Sequence, residues 1–149
     1  MKFSTRTQYG LKGVLALAAR YGEGSMAISQ IAKKYSISVA YLEQIMNALK
    51  KKGIVKSMRG PQGGYVLAKK PSEITLGELL AAFEGKDFFS TPREESAAGP
   101  DEAMIANILF WKKFEQAVQE GFSELTLKHL LDEAHALRKK SDPNHTFHI

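Results

Sequence analysis

The apolar positions in the first half of the chain recur at helical spacing in three segments, over residues 6–21, 30–35 and 39–52. Two short β-prone segments follow at residues 54–59 and 65–68, and the glycine-rich stretch between them is typical of a hairpin tip. Three helices and a hairpin in this order predict a winged helix-turn-helix, which is a mainly α fold with a small β-hairpin wing.

The third predicted helix has one apolar face and one polar face. Ser38 is the expected N-cap, and Gly53 ends the helix. The apolar face repeats at i, i+3, i+4 and i+7 through Leu42, Ile45, Met46 and Leu49. The opposite face carries Ala40, Gln44, Asn47 and Lys51. Short, amide-bearing and cationic side chains suit contact with base edges and phosphates, so we predict that this face reads DNA.

The hairpin adds a second predicted contact with DNA. Arg59 lies at the base of the tip, where an extended strand carries a guanidinium toward a groove or a phosphate, and Gly60 and Gln62 belong to the tip itself. The same pattern also suits a surface unit that binds no nucleic acid, in which the three lysines at residues 50–52 are only a solvated face. The pattern favours DNA binding over this alternative.

Charge is distributed unevenly between the two halves of the chain. Residues 1–75 contain 13 Lys and Arg and 3 Glu, a net charge of +10, whereas residues 76–149 contain 8 basic and 13 acidic residues, a net charge of −5. Counterion release favours such basic clustering on a surface that binds nucleic acid. A basic patch also suits an acidic protein or a membrane surface, so its coincidence with the predicted reading helix carries the argument.

The second half opens with a predicted helix at residues 76–83, for which Thr75 and Glu78 have the spacing of a capping box. Residues 85–100 lose the periodicity and indicate an exposed loop, and a long helix is predicted at residues 101–121. The expected organisation is a DNA-binding domain at residues 1–84, a loop at 85–100, and a dimerisation helix, a last helix at 127–140 and a tail within 101–149.

The long helix is apolar on more than one face, which is more apolar surface than one small domain covers. We expect a second copy of the chain to cover it, and packing wholly within the monomer is the alternative. The residues predicted to form the dimer contact are Ile105, Ile108, Leu109, Trp111, Phe114 and Val118.

Composition excludes several kinds of site. The chain contains no cysteine, which excludes disulfides, thiol chemistry and cysteine-ligated metals. His129 and His135 are six residues apart and do not share a helix face, and His145 and His148 lie in the tail, so we predict no metal site. The chain shows neither a nucleophile-base-acid set nor a P-loop, so we predict that it is not an enzyme.

No apolar run approaches the roughly 20 residues that a membrane span needs, and no signal peptide is evident. We therefore expect a cytoplasmic protein with no membrane partner.

With these features in place, the chain resembles the Rrf2 family of bacterial winged-helix repressors over nearly its whole length. The likeness is most specific in Tyr9-Gly10-Leu11, in SVAYLEQ at residues 38–44 and in RGPQGGYVL at residues 59–67. The resemblance implies a homodimer built on crossed long helices, whose two heads read an imperfect palindrome in double-stranded DNA. It also implies that Arg59 anchors the wing in the minor groove, and that the groove-facing end of the third helix is lined by Ala40, Tyr41, Glu43 and Gln44.

Glu43 has two interpretations. It lies at the flank of the polar face, where its carboxylate is either solvated or accepts a hydrogen bond from the exocyclic amine of cytosine. The residues alone favour solvation, whereas the resemblance favours base discrimination.

The sequence departs from the cluster-binding members of the family. Those members hold an iron–sulfur cluster through three cysteines in the loop that corresponds to residues 85–100, and some also use ligands from the first helix. Here the loop has no cysteine, and the matching first-helix positions are Gln8 and Lys12. We therefore expect no cofactor and no iron–sulfur sensing, so that the signal arrives by another route.

In lacking loop cysteines the chain is most similar to the cysteine-metabolism repressors of the family. The resemblance implies a partner enzyme, O-acetylserine sulfhydrylase, which holds such repressors on DNA and also accepts the C-terminal isoleucine of serine acetyltransferase. The last three residues of the sequence, Phe147, His148 and Ile149, suit the same enzyme pocket, and a frayed tail is the alternative.

The function expected from the sequence is a homodimeric repressor that binds a palindromic operator without an iron–sulfur cluster and controls cysteine or sulfur metabolism. One alternative is a winged-helix scaffold for protein contacts. The other is a regulator that senses a small molecule or a redox signal by an unknown route.

Overall fold

The computed structural model describes residues 2–90, 99 and 101–141. These residues form a mainly helical protein with one two-stranded antiparallel hairpin, which confirms the predicted fold class. Short 3₁₀ turns at Pro71–Glu73 and Lys86–Phe89 flank the fourth helix. The main elements are α1 (Thr5–Ala19), α2 (Ile28–Tyr35), α3 (Val39–Lys51), β1 (Val55–Met58), β2 (Gly64–Leu67), α4 (Leu76–Glu84), α5 (Glu102–Glu124) and α6 (Leu127–Ser141).

Local sequence explains where the first helices begin and end. Ser4 begins α1, because its Oγ accepts a hydrogen bond from the backbone N–H of Thr7 at 3.2 Å. Ser38 begins α3 in the same way and accepts from the N–H of Tyr41 at 3.3 Å. Gly53 follows α3 with a φ of 73°, a left-handed conformation that glycine adopts without strain. The predicted caps at Ser38 and Gly53 are therefore confirmed.

The apolar faces of α1 to α4 enclose a common core, in which the four residues predicted to be buried on α3 are at most 1% exposed. Glycines let α1 approach its neighbours closely. A Cβ added at Gly10 would lie 2.2 Å from Cε1 of Phe83 in α4, and one added at Gly13 would lie 2.4 Å from Cε of Met46 in α3. The packing of α1 on α4 therefore depends on the absence of a side chain at Gly10, whereas the flexible end of Met46 can move aside at Gly13.

The start of α6 is joined to the start of α4. The N–H of Leu127 donates to the carbonyl of Ile74 at 3.0 Å, and the N–H of Leu76 donates to the carbonyl of Leu125 at 2.8 Å. Leu127 and Ile74 are both fully buried. The last helix thus returns to the core formed by the first four.

Two local predictions are corrected by the structure. Thr75 Oγ1 accepts from the N–H of Glu78 at 3.1 Å, but the carboxylate of Glu78 pairs with the ammonium of Lys69 and leaves the capping box half formed.

The predicted loop begins with the 3₁₀ turn Lys86–Phe89 rather than with irregular chain, because its aromatic rings pack on other parts of the chain. These ring pairs are Phe88 with Phe3 at 5.4 Å and Phe89 with Phe122 at 5.9 Å. The rest of the predicted loop, residues 91–98 and 100, lies outside the described residues.

Glu84 ties the end of α4 to the start of α1. Its Oε1 accepts hydrogen bonds from the hydroxyl of Thr7, from the N–H of Ser4 at 3.0 Å and from the hydroxyl of Ser4 at 2.9 Å. The bond from Thr7, followed by those from Ser4, lowers the pKa of the Glu84 carboxyl below its usual range, since each bond favours the charged form.

We predict that Glu84→Gln lowers the free energy of unfolding at neutral pH and that this loss shrinks in acid. The folded-state pKa lies below the unfolded-state value, so the ionised group stabilises the fold above about pH 4.3 and loses its contribution as the pH falls through the folded pKa. Urea unfolding across this pH range measures the difference. Glu133→Gln, on the exposed side of α6, is the matched control, and a pH-independent loss for Glu84→Gln would contradict the assignment.

Candidate nucleic-acid interface

Burial of one side of α3 sets the orientation of the other. Because the four apolar residues of the helix are held in the core, its polar face is turned outward over its full length. This confirms the predicted two-faced pattern and presents a continuous polar surface of the kind that contacts base edges and phosphates. The exposed predicted residues on or beside this surface are Ser38, Ala40, Glu43, Gln44, Asn47 and Lys51.

Tyr41 differs from the other residues predicted for this surface because it is half-buried. Its ring meets the ring of Tyr9 edge-on, with the centroids 6.0 Å apart, and the ammonium of Lys12 lies 5.7 Å from the Tyr9 centroid. Part of the Tyr41 side chain therefore holds the start of α3 against α1, and only the remainder faces outward.

The predicted wing is present, and its tip is exposed. The strands pair from Val55 with Leu67 to Met58 with Gly64, and the N–H of Gly63 donates to the carbonyl of Gly60 at 2.9 Å to close the tip. The predicted contact residues at and beside the tip, Arg59, Gly60 and Gln62, are all exposed.

Contacts that the sequence did not reveal fasten the wing to the segment before α2. Met26 and Tyr65 exchange two backbone hydrogen bonds, at 3.0 Å and 2.9 Å. A Cβ added at Gly64 would lie 2.2 Å from the carbonyl oxygen of Met26, so the two backbones approach too closely for any other residue. The hydroxyl of Ser25 also donates to the carbonyl of Gln62 in the tip. The second strand of the wing, β2, is therefore bonded to β1 along one edge and to the segment before α2 along the other.

Tyr65 also joins the wing to the polar face of α3. Its hydroxyl donates to Oδ1 of Asn47 at 3.5 Å. Burial raises the pKa of the Tyr65 phenol, and the nearby carboxylate of Glu43 raises it further, so the hydroxyl stays protonated to higher pH than in a free tyrosine. The signal for Tyr65 in the sequence was a β-prone aromatic after a glycine pair, which indicates a strand but not this contact.

The three lysines at the end of α3 do not share one role. The ammonium of Lys52 donates to the carbonyl of Ala82 at 2.8 Å, near the end of α4, where a helix dipole favours positive charge. Lys50, Lys51 and Lys52 are all exposed, so this bond distinguishes Lys52 without excluding the alternative in which the three lysines form a solvated face.

No residue of α5 is buried among the described residues. Most of the predicted dimer contact is exposed, namely Ile105, Ile108, Leu109, Trp111 and Phe114, and Val118 is partly covered. Phe110, which was not among the predicted contacts, is 59% exposed and packs edge-on against Trp111 at 5.2 Å. The ring of Trp111 in turn meets Phe114 at 6.1 Å. The helix therefore presents a connected aromatic surface to its surroundings.

Two further predictions concern a metal site and the C-terminal tail. Across residues 2–90, 99 and 101–141 there is no group of three or more His, Asp or Glu side chains able to hold a metal ion. Nδ1 of His129 accepts from the N–H of Thr126 at 3.1 Å, which gives this histidine a local role at the start of α6. The tail residues Phe147, His148 and Ile149 lie outside the described residues. Within residues 2–90, 99 and 101–141, no helix combines the length and the apolar character that a membrane span requires.

Comparison with known proteins places the chain in a family. A family model described as "Rrf2: Iron-dependent Transcriptional regulator" matches residues 3–133. The HTH-type transcriptional regulator CymR of Bacillus subtilis (strain 168) is 37% identical over 130 residues, which are 87% of this chain and 89% of that protein. The HTH-type transcriptional regulator IscR of Pectobacterium atrosepticum is 30% identical over 138 residues, 92% of this chain and 83% of that protein.

Solved structures show the same likeness. The structure of CymR, described as the global cysteine regulator of B. subtilis, superposes with a TM-score of 0.76 at 34% identity and covers 89% of this chain and 98% of that chain. The structure of T. potens IscR superposes with a TM-score of 0.71 at 34% identity and covers 90% of this chain and 88% of that chain. These regulators share the winged-helix fold and the C-terminal helix described above. The resemblance inferred from the sequence is confirmed, and the chain belongs to the Rrf2 family of winged-helix transcriptional regulators.

Proposed function

We propose that the protein is a homodimeric repressor whose two winged-helix heads bind a palindromic DNA operator. The observation that carries the proposal is the juxtaposition of an outward polar face on α3 with an exposed wing tip, joined through Tyr65 and Asn47 within the basic half of the chain. A helix of this kind fits the major groove, and the tip reaches the neighbouring backbone or minor groove.

The proposed contacts follow from side-chain chemistry. The amide of Gln44 suits adenine, the carboxylate of Glu43 accepts from the amine of cytosine, and Ala40 leaves room for a thymine methyl group. Ser38 and Lys51 suit phosphates, which fix the position of the helix without reading sequence. The remaining proposed contacts are made by Tyr41, Asn47, Arg59, Gly60 and Gln62.

We predict that DNA affinity falls steeply with salt and that Arg59→Ala weakens it. A guanidinium at the wing tip neutralises phosphate charge, so its loss should reduce affinity by about tenfold and lower the log–log salt slope by about one. Fluorescence anisotropy with an operator duplex selected from random DNA measures both quantities. Arg138→Ala, an exposed arginine on α6, is the matched control.

A scaffold that binds only proteins predicts a different result. Weak binding to every duplex and an equal effect of Arg59→Ala and Arg138→Ala would favour that function over repression.

The dimer rests on the exposed apolar face of α5. This helix has 23 residues and is about 34 Å long at 1.5 Å per residue, and its aromatic and aliphatic side chains lie uncovered by the other described elements. Such a patch marks an interface, and burying it against a second copy of the same helix removes apolar area from water on both chains.

We predict that Ile108→Glu converts the dimer to a monomer, because a carboxylate at the buried interface stays without a partner. Lys113→Glu, which places the same side chain on the polar side of α5, should remain dimeric. Analytical ultracentrifugation at micromolar protein concentration distinguishes these outcomes. A wild-type monomer under these conditions would contradict the dimer.

We further propose that the repressor controls cysteine or sulfur metabolism without an iron–sulfur cluster. The similarity to CymR, the global cysteine regulator of B. subtilis, supports the metabolic assignment. The absence of cysteine from the whole sequence supports a signal that does not come through thiolate ligands. The proposed route is a complex with O-acetylserine sulfhydrylase in which Phe147, His148 and Ile149 enter the enzyme.

We predict that deletion of Ile149 abolishes binding to O-acetylserine sulfhydrylase and leaves the oligomeric state unchanged, because the terminal carboxylate and apolar side chain would make the contact. Isothermal titration calorimetry measures the binding. Lys139→Gln in α6 controls for a general change near the C-terminus. Unchanged affinity after the deletion would contradict the role of the tail.

A further inference from the structure

A cavity of about 290 Å³ lies between the end of α1 and the outer edge of β2, on a part of the molecule that the proposed DNA and dimer contacts do not use. Its walls combine buried apolar side chains with polar groups at the opening. Leu17 and Met26 form part of the apolar wall, and Arg20 and Tyr21 are exposed at the end of α1. The lining therefore presents apolar and polar surface in comparable amounts, and ligand sites in proteins use both kinds.

The edge of β2 that faces this cavity carries backbone groups turned away from β1. Successive residues of an antiparallel strand direct their N–H and C=O groups to opposite sides. Tyr65 directs its groups to Met26, in an isolated bridge that is one pair long. Leu67, two residues further, is oriented in the same direction, and it lines the cavity together with Gly24, where φ is 91° and the chain turns away. The N–H and C=O of Leu67 are therefore directed to the cavity.

Arg20 provides positive charge at the same cavity. Its Nε lies 3.4 Å from Oε2 of Glu23, and the side chains are 44% and 65% exposed. Exposed ion pairs of this kind contribute little to stability, so a ligand carboxylate can replace Glu23 at low cost. A guanidinium also binds a carboxylate through two parallel hydrogen bonds, which orients the ligand as well as attracting it.

We propose that this cavity binds a compact carboxylate that also carries an amide and an apolar group, of the size of an N-acylated amino acid. The carboxylate pairs with Arg20, the amide pairs with the N–H and C=O of Leu67, and the apolar group packs against the exposed ring of Tyr21. The volume lies just below the range of about 300–1,000 Å³ for drug-sized ligands, which restricts the site to small molecules.

Binding of a ligand in the cavity would affect the proposed DNA-binding surface through strand β2. The strand that forms its wall, β2, contains Tyr65, and the hydroxyl of Tyr65 holds Asn47 on the polar face of α3. A ligand that fixes β2 therefore changes the freedom of both the wing and α3. This regulatory consequence rests on the proposed function, whereas the binding site itself does not.

The binding site is tested without DNA, on the whole chain labelled with ¹⁵N. N-acetyl-L-valine is the probe, and its primary amide, which has the same shape without the charge, is the ligand control. Addition of the acid should shift the backbone amide signals of Gly22, Gly24 and Leu67 in a saturable manner. Arg20→Gln should raise the Kd at least about tenfold, as expected when a charge-assisted hydrogen bond is lost, and Arg20→Lys should raise it less.

Arg6→Gln, an exposed arginine at the other end of α1, should leave the Kd unchanged, and the spectra of the variants show whether they remain folded. Absent shifts, equal binding of the acid and its amide, or an unchanged Kd in Arg20→Gln would each overturn the site.

The regulatory consequence is tested by measuring operator affinity with and without saturating probe. A change of about fivefold or more, absent in Arg20→Gln, is expected if the ligand couples to DNA binding. Unchanged affinity in the presence of bound probe would overturn the coupling. Failure of the unliganded protein to bind DNA would instead overturn the proposed function, so the two failures are distinguishable.

Discussion

Burial of the apolar stripe of α3 determines which side chains the proposed DNA-binding surface presents. Complete burial of a Leu, Ile or Met side chain contributes about 1.5–3 kcal/mol, and α3 buries four such residues. A rotation that exposed this stripe would cost a large part of the about 5–15 kcal/mol by which a domain of this kind is stable. The helix therefore has one orientation, in which the end of the Met46 side chain lies against Gly13 of α1.

The wing depends on the same core for its position. An isolated two-stranded hairpin is marginally stable in water, because one face of it has nothing to pack against. Here the backbone of Met26 extends the edge of β2, and the side chains of Tyr65 and Leu67 are buried against the helices. The tip can therefore be polar and glycine-rich and still be held in position, because the strand that carries it is fixed by these contacts.

The long helix contrasts with the other elements. The core does not cover its apolar residues. Instead, α6 packs against α1 and against the segment before α4, where Leu127 contacts Ile74, and α5 lies outside this contact. The only aromatic contact that joins α5 to the turn after α4 is between Phe122 and Phe89, near the end of the helix, within the part of the chain that the structure describes. The uncovered remainder is the surface on which the proposed dimer contact rests.

The order of the elements, the buried and exposed faces of α3, the caps at Ser38 and Gly53, and the apolar excess of α5 all followed from the amino-acid sequence. These features are local, because the spacing of apolar residues and the conformations open to serine and glycine depend on a few neighbouring positions. Family membership also followed from short local motifs around the third helix and the wing.

The pairing of polar groups did not follow from the sequence, because it depends on how whole helices pack, and spacing along one helix contains no information about that packing. Thus Lys52 pairs with a carbonyl of α4, Glu78 pairs with Lys69 instead of closing its capping box, and Glu84 accepts from residues that lie 77 and 80 positions earlier in the chain. The cavity beside Arg20 has the same origin, because it exists only where the turn at Gly24 leaves the edge of β2.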